Sequence, residues 1–297
     1  MIKFPNSARD IDQLGVEQKK FEAIKTDILM PRIPIIARLD GKAFHTFTKN
    51  LKKPFDLDLQ ACMKETLVAL CEKYNADLGY SQSDEITLVW YNADEKKMIF
   101  DGRRDKYMSL LASAGTLAFY KAILKHLPSK ADDFPQFDCR VFQVPSRADV
   151  FNNILWRWLD ARKNSVSMLA SSVFREKELL NKSTKDRKEM LLTKGYDWNT
   201  YPEDCKSGYF CKKITYYKKV TCDEKHRVNI SPETSVEMDN GDIYVCRKRY
   251  DIVDVPSLYV VSPSYTPDNF VDGKYDSDKT RISEVFSESI IMTTKFE

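Results

Sequence analysis

A chain of 297 residues, 42% hydrophobic and 31% charged, carries enough apolar material for one large core or two modest ones. Its net charge of only +3 excludes a general polyanion binder, so any nucleic-acid contact must come from local basic patches. Seven scattered cysteines, an odd number, argue against a closed disulfide framework.

The N-terminal stretch MIKFPNSARDIDQ has no apolar leader, and no apolar run approaches the roughly 20 residues of a membrane span. The expectation is a cytoplasmic protein with reduced thiols and no membrane partner. Cys205, Cys211, Cys222 and Cys246 lack paired spacing, so no zinc site is expected.

Residues 1–30 read as one or two helices, punctuated by Pro31 and Pro34. The segment IIARLD (35–40) then predicts a buried strand ending in Asp40 and followed at once by Gly41. A carboxylate at that place needs a partner: an arginine, a turn of backbone amides, or a metal ion. The loop beyond it carries Lys42, His45, Lys49, Lys52 and Lys53.

Leu59, Met63, Leu67, Leu70 and Cys71 recur at helical spacing from Asp56 to Tyr74. NADLGYSQSDEITLVWYN predicts two short strands around a polar turn, Ser81 to Glu85. A helix from Arg104 to Lys125 follows, then a strand FDCRVFQV closed by Pro145. The order βαββαβ predicts an α+β fold, a palm-like antiparallel sheet with helices on one face.

From Ser146 the chain reads as a long helix, then a polar helix over 184–194 ending near Gly195, then short strands rich in tyrosine and lysine. A soft boundary near Pro145 divides residues 1–145, catalytic in character, from an accessory region of helices and hairpins, 146–297. Trp156 and Trp158 read as core or subunit-interface residues.

In a βαββ sheet the first strand lies beside the hairpin, so Asp40 and Asp84 are expected to converge. Two adjacent carboxylates repel unless a cation lies between them. Magnesium suits carboxylate, carbonyl and water oxygens while leaving room for phosphate, and Gly41 permits close backbone approach. Taken singly, Asp40 and SQSDE are ordinary turn chemistry. Arg103, Arg104 and Lys106 sit where a helix dipole disfavours cations, an arrangement that a bound anion such as a triphosphate relieves. His45, standing alone, reads as structural.

RLDGKAFHTF (38–47), Lys53-Pro54, GYSQSDE (79–85) and RRDKYMSLLAS (103–113), in this order, resemble the tRNA(His) guanylyltransferase family of 3′–5′ RNA polymerases. The likeness covers roughly residues 30–195. It implies a nucleotidyltransferase that adds nucleotides to the 5′ end of tRNA after ATP or GTP activates the 5′ phosphate. ATP and GTP are then substrates, two Mg2+ ions the cofactors, and a homotetramer the assembly. Carried over by motif, Asp40, Gly41 and Asp84 become metal ligands, with Asp40, Asp84 and Glu85 catalytic. Lys42, Ala43, Phe44, His45, Ser83, Lys53, Arg103, Arg104 and Lys106 become nucleotide contacts. Arg157, Arg162, Asn164, Lys212 and Lys213 become RNA contacts.

One departure bears on substrate. Family members that mature tRNA(His) carry a histidine-isoleucine-asparagine-asparagine motif where this chain has WRWLDARKNSVSMLA, with Arg162 at the histidine's place. DARKNS resembles the bacterial-type, guanylyltransferase-like branch that repairs 5′-truncated tRNA by template-dependent addition. The competing expectations are addition of a single G to tRNA(His), a palm-fold nucleotide cyclase, and a non-catalytic RNA-binding protein. The hairpin holds SQSDE rather than the GGDEF-type turn of a cyclase. In the C-terminal third, SGYFCKKITYYKKV interleaves Tyr209, Phe210, Tyr216 and Tyr217 with lysines, which suits RNA contact and a solvated hairpin equally.

Overall fold

Side chains alternate across strand β1 (Ile35–Gly41): Ile35, Ala37 and Leu39 are buried on one face, and Ile36 is buried on the other, where Arg38 and Asp40 are half-buried. Ile35, Ala37 and Leu39 join one apolar cluster, and Ile36 joins another on the opposite side together with Arg38 and Asp40 by alternation. A strand that buries apolar side chains on both faces needs cover on both. β2 (Leu78–Gln82) and β3 (Glu85–Trp90) are buried along their whole length for the same reason. The computed structural model describes residues 16, 19–20, 27–91, 98–219, 235–237 and 243–253. The helices expected before residue 27 therefore fall almost entirely outside the described residues.

With β4 (Phe137–Gln143), β5 (Tyr209–Lys219), β6 (Ser235–Glu237) and β7 (Ile243–Val253), these strands form one seven-stranded sheet in the order β4-β1-β3-β2-β5-β7-β6. Every neighbouring pair is antiparallel. The tyrosine- and lysine-rich strands are longer than the sequence suggests, at 11 residues each for β5 and β7. They extend the sheet because β5 pairs with β2, Tyr80 opposite Phe210.

On one face lie α1 (Phe44–Phe47), α2 (Leu57–Tyr74) and α3 (Arg104–His126). The Asp56 side chain caps α2 by accepting from Leu59 N–H at 2.9 Å. Leu67, Leu70, Leu111 and Phe119 meet Leu39, Ile86 and Leu88 in the core. Gly115 lets α3 approach β1 closely, since a Cβ there would sit 2.5 Å from Leu39 Cδ2.

By length and composition α3 is apolar enough to cross a membrane, contrary to the expectation that no segment would be. Tyr107, Leu111, Gly115, Phe119 and Ile123 form its buried stripe against the sheet, the arrangement of a core helix.

The helices expected on one face, α2 and α3, lie there, and α4 (Arg147–Val173), expected in the accessory region, covers the opposite face. That helix, capped by Ser146 accepting from Asp149 N–H, lays Val150, Ile154 and Trp158 on Ile36, Tyr80, Val89 and Phe210. Trp158 is core, as expected, whereas Trp156 is 53% exposed. Beyond it come α5 (Glu176–Leu179) and α6 (Thr184–Thr193), packed with the end of α4 around Trp198 in a third cluster, and α7 (Glu203–Ser207), whose Lys206 ammonium lies 5.1 Å from the Trp198 ring centroid.

Candidate active site

β1 ends at Gly41 and the β2–β3 hairpin turns at Ser83, so the chain delivers Asp40 and Asp84 to the same end of the sheet. The Gly41 N–H donates to the Asp84 carbonyl at 3.1 Å, and the Lys42 N–H donates to the Gln136 carbonyl at 2.8 Å. Ser83 adopts φ 51 and Ala43 φ 55, left-handed turns that swing the chain out of β2 and β1. A Cβ on Gly41 would collide with the Phe44 ring, so that position is reserved for glycine.

The two carboxylates border a cavity of about 600 Å³. Ala43, Phe44, His45 and Lys53 line it from the loop after β1, Ser83 from the hairpin, and Asn164 from α4. The Lys53–Pro54 peptide bond is cis. His45 is exposed and shares a 3.1 Å hydrogen bond with Thr46 Oγ1.

Burial pushes the Asp84 carboxyl above the ordinary carboxylate range, and the neighbouring charge of Asp40 adds to the shift. Among the described residues neither aspartate enters an ion pair. A half-buried carboxylate beside a second one, with no ion-pair partner among the described residues, fits a divalent cation. Among the described residues no cluster of three or more His, Cys, Asp or Glu side chains forms a complete cage. A magnesium ion held by Asp40, Asp84 and the Gly41 carbonyl would complete its shell with water and phosphate oxygens, which is its habit.

Glu85 does not belong to this pair. Its Oε1 accepts from Arg157 Nε at 2.8 Å, and Oε2 lies 3.9 Å from Arg38 Nε. Burial raises its carboxyl while the two arginines oppose the shift. Arg157 also meets Asp160 at 3.2 Å, so this expected RNA contact is occupied inside the fold.

Arg162 is a second correction. It is 5% exposed, donates to Glu203 Oε2 at 3.1 Å and Ser207 Oγ at 2.7 Å, and lies against Trp158 and Trp198 at 5.0 and 4.7 Å. A guanidinium so enclosed cannot reach RNA. It ties α4 to α7 instead.

Four further basic side chains lie away from the cavity. Lys42 Nζ reaches Gln136 at 3.5 Å and lines a neighbouring groove with Tyr120 and Phe134. Arg103 pairs with Asp105 at 3.0 Å. Arg104 donates to the Val141 carbonyl at 2.8 Å and meets Asp27 at 3.4 Å. Val141 stands opposite Ala37, three residues before Asp40, or about 10 Å along the strand. Lys106 lies in the first turn of that same helix. The helix start that suggested a bound anion has counter-ions from its own chain.

Lys213 donates to Asn75 Oδ1 at 3.1 Å on the far strand β5, with Lys212 beside it. The side chains of Tyr216, Tyr217 and Cys246, and all of Cys222, lie outside the described residues.

What the sequence did not reveal is the wall supplied by α7 and its exit. Asp204, Cys205, Lys206, Gly208 and Tyr209 all line the cavity. The Tyr80 hydroxyl donates to the Ser207 carbonyl at 2.6 Å, and Gly208, at φ 76, passes so close to the Ser81 carbonyl that a Cβ would collide with it. Only the glycine in KSGYF hinted at this turn.

A family model described as Thg1, tRNAHis guanylyltransferase, matches residues 16–145. The tRNA(His) guanylyltransferase of Schizosaccharomyces pombe is 29% identical over 209 residues, 64% of this chain and 79% of the yeast protein. A solved bacterial tRNA(His) guanylyltransferase (Thg1)-like protein in complex with ATP superposes with a TM-score of 0.62 at 34% identity, covering 67% of this chain and 88% of that one. A second such structure, in complex with GTP, gives 0.56 at 27% identity over 82% and 91% of the two chains.

Proposed function

This chain belongs to the tRNA(His) guanylyltransferase (Thg1) family and is a nucleotidyltransferase, and from that premise we propose that it extends the 5′ end of truncated tRNA in the 3′–5′ direction, choosing each nucleotide against the opposing strand. The observation that carries this reading is the convergence of Asp40 and Asp84, neither in an ion pair among the described residues, on a cavity lined by the loop after β1. The ATP and GTP held by the two bacterial relatives support nucleoside triphosphates as its occupants.

The reaction is two phosphoryl transfers. The RNA 5′ monophosphate attacks the α-phosphate of ATP and displaces pyrophosphate. The 3′ hydroxyl of the incoming nucleotide then attacks that activated phosphate and displaces AMP. Such transfers need alignment and charge neutralisation more than covalent help. Two magnesium ions, when bound, supply neutralisation at the attacking and leaving oxygens.

Asp40, the Gly41 carbonyl and Asp84 would hold the metal. Ala43, Phe44, His45 and Ser83 shape the pocket around the triphosphate, and Lys53 brings positive charge to it. Glu85 fixes the sheet behind Asp40 through Arg157 rather than touching the reacting atoms.

Template-directed repair is favoured over addition of one G to tRNA(His) by the state of position 162. The side chain there is consumed by Glu203 and Ser207 and offers the tRNA nothing to read. Selection then falls to base pairing, with the protein supplying the grip. The test uses 5′-monophosphorylated tRNAs lacking their first nucleotide, with ATP, magnesium and each nucleotide in turn, across several opposing bases. Addition that follows complementarity is expected. Guanosine added only to tRNA(His), whatever base stands opposite, would restore the maturation reading, and labelled GTP cyclised without RNA would point to a cyclase.

A further inference from the structure

Trp156 is the exposed one of the chain's four tryptophans: Trp90 and Trp158 are each 6% exposed and Trp198 3%, against 53% for Trp156. Two guanidinium groups lie against its ring, Arg157 Cζ 4.7 Å and Arg38 Cζ 5.8 Å from the centroid. Both are anchored on Glu85. The indole therefore rests on a fixed base instead of swinging on a free side chain.

Arg38 is two residues before Asp40 on the same face of β1, about 7 Å along the strand. Directly across from it in the register stands Arg140 on the edge strand β4. Arg140 is exposed and has no side-chain partner among the described residues. Asp138, next on that face, makes no ion pair with it. One exposed aromatic ring, one uncompensated guanidinium and the candidate catalytic carboxylates thus follow one another across a single face.

We propose that Trp156 and Arg140, backed by Arg38 and Arg157, form the shelf on which the 5′ end of the RNA substrate docks, its terminal base stacked on the indole and a backbone phosphate on Arg140. The idea rests on the RNA-extending reading above and adds the surface that reading lacks. An apolar protein interface would need apolar neighbours. On α4 the other exposed large apolar side chain is Met168, about three turns away in the cavity lining. A lone ring among guanidinium groups suits a base, which has a π-face, joined to a phosphate.

The experiment is a titration of tryptophan emission with a 5′-monophosphorylated tRNA lacking its first nucleotide, and separately with ATP or GTP alone. RNA is expected to quench the wild-type signal, and free nucleotide to leave it unchanged. Trp156→Phe should lose the quench while keeping affinity within about threefold. Trp156→Ala should weaken RNA binding roughly 5- to 150-fold, the span expected for one stacked base. Arg140→Gln should weaken it several-fold and lower the slope of log affinity against log salt by about 1. Unchanged affinity in both Trp156→Ala and Arg140→Gln would overturn the shelf, as would an equal quench by free nucleotide. An emission change with protein concentration alone would also overturn it, by making this face a contact between copies. A wild-type protein that binds with the quench yet adds no nucleotide would sink the proposed function and leave the shelf standing.

Discussion

Glu85 stands directly opposite Asp40 in the β1–β3 register, yet its carboxylate accepts a 2.8 Å hydrogen bond from Arg157 Nε and stays out of the cavity lining. Asp84 and Glu85 are adjacent in sequence and do different work, because the hairpin turn ends between them. Glu85→Gln would leave Arg38 in a part-buried place without its counter-charge and Arg157 with Asp160 alone. A loss of about 3 kcal/mol in urea unfolding is expected, as for other broken buried pairs. The folded fraction should keep more activity than Asp40→Asn, and wild-type stability in Glu85→Gln would contradict the assignment.

The raised carboxyl of Asp84 gives a pH signature. Folded Asp84 keeps its proton to higher pH than the unfolded chain, whose ordinary value is 3.8. Its ionisation therefore costs stability as pH climbs above that value, and the cost is fully present once pH exceeds the folded value. Asp84→Asn removes this cost. The metal-free variant should melt above the metal-free wild type at pH 7, with the gap closing as pH falls below the ordinary carboxylate range. Magnesium should raise the melting temperature of the wild type at pH 7 and leave Asp84→Asn unmoved. A metal-free variant that melts lower than wild type would refute this.

Arg162 gives a separable prediction. Arg162→Met removes the hydrogen bonds to Glu203 and Ser207 on α7 and the cation between Trp158 and Trp198. A stability loss of about 2–3 kcal/mol is expected, typical of a broken buried network. Because α7 walls the cavity, the KM for the incoming nucleotide should rise more than the KM for tRNA. Arg162→His should not confer tRNA(His) specificity. Conversion to template-independent guanosine addition would show that position 162 reads the tRNA after all.

The helices and strands that carry their own periodicity were legible. The predicted helix from Asp56 to Tyr74 is α2, and the predicted strand 35–40 is β1 with one residue more. Asp40 and Asp84 were legible as a pair because a strand end and a hairpin turn in βαββ order must meet. The α7 wall was not, since it depends on Tyr80 reaching Ser207, 127 residues away. Nor does an isolated arginine in a sequence announce that a glutamate 41 residues on will enclose it, which is why Arg162 read as an RNA contact. Arg104 misled similarly, since its acceptor is the Val141 carbonyl on β4. Local pattern finds the elements and the turn chemistry, while long-range pairing decides which charges remain free.

The most direct test of Asp40 and Asp84 as the centre of the chemistry is a single-turnover measurement. A 5′-monophosphorylated tRNA lacking its first nucleotide is mixed with excess enzyme, ATP, magnesium and the complementary nucleotide, and the one-nucleotide-longer product is timed. The wild type should form that product, and Asp40→Asn and Asp84→Asn should fall at least a thousandfold, about 4 kcal/mol in the barrier, while each still melts cooperatively. Near-normal rates in either folded variant, or a wild type that forms no product, would contradict the assignment.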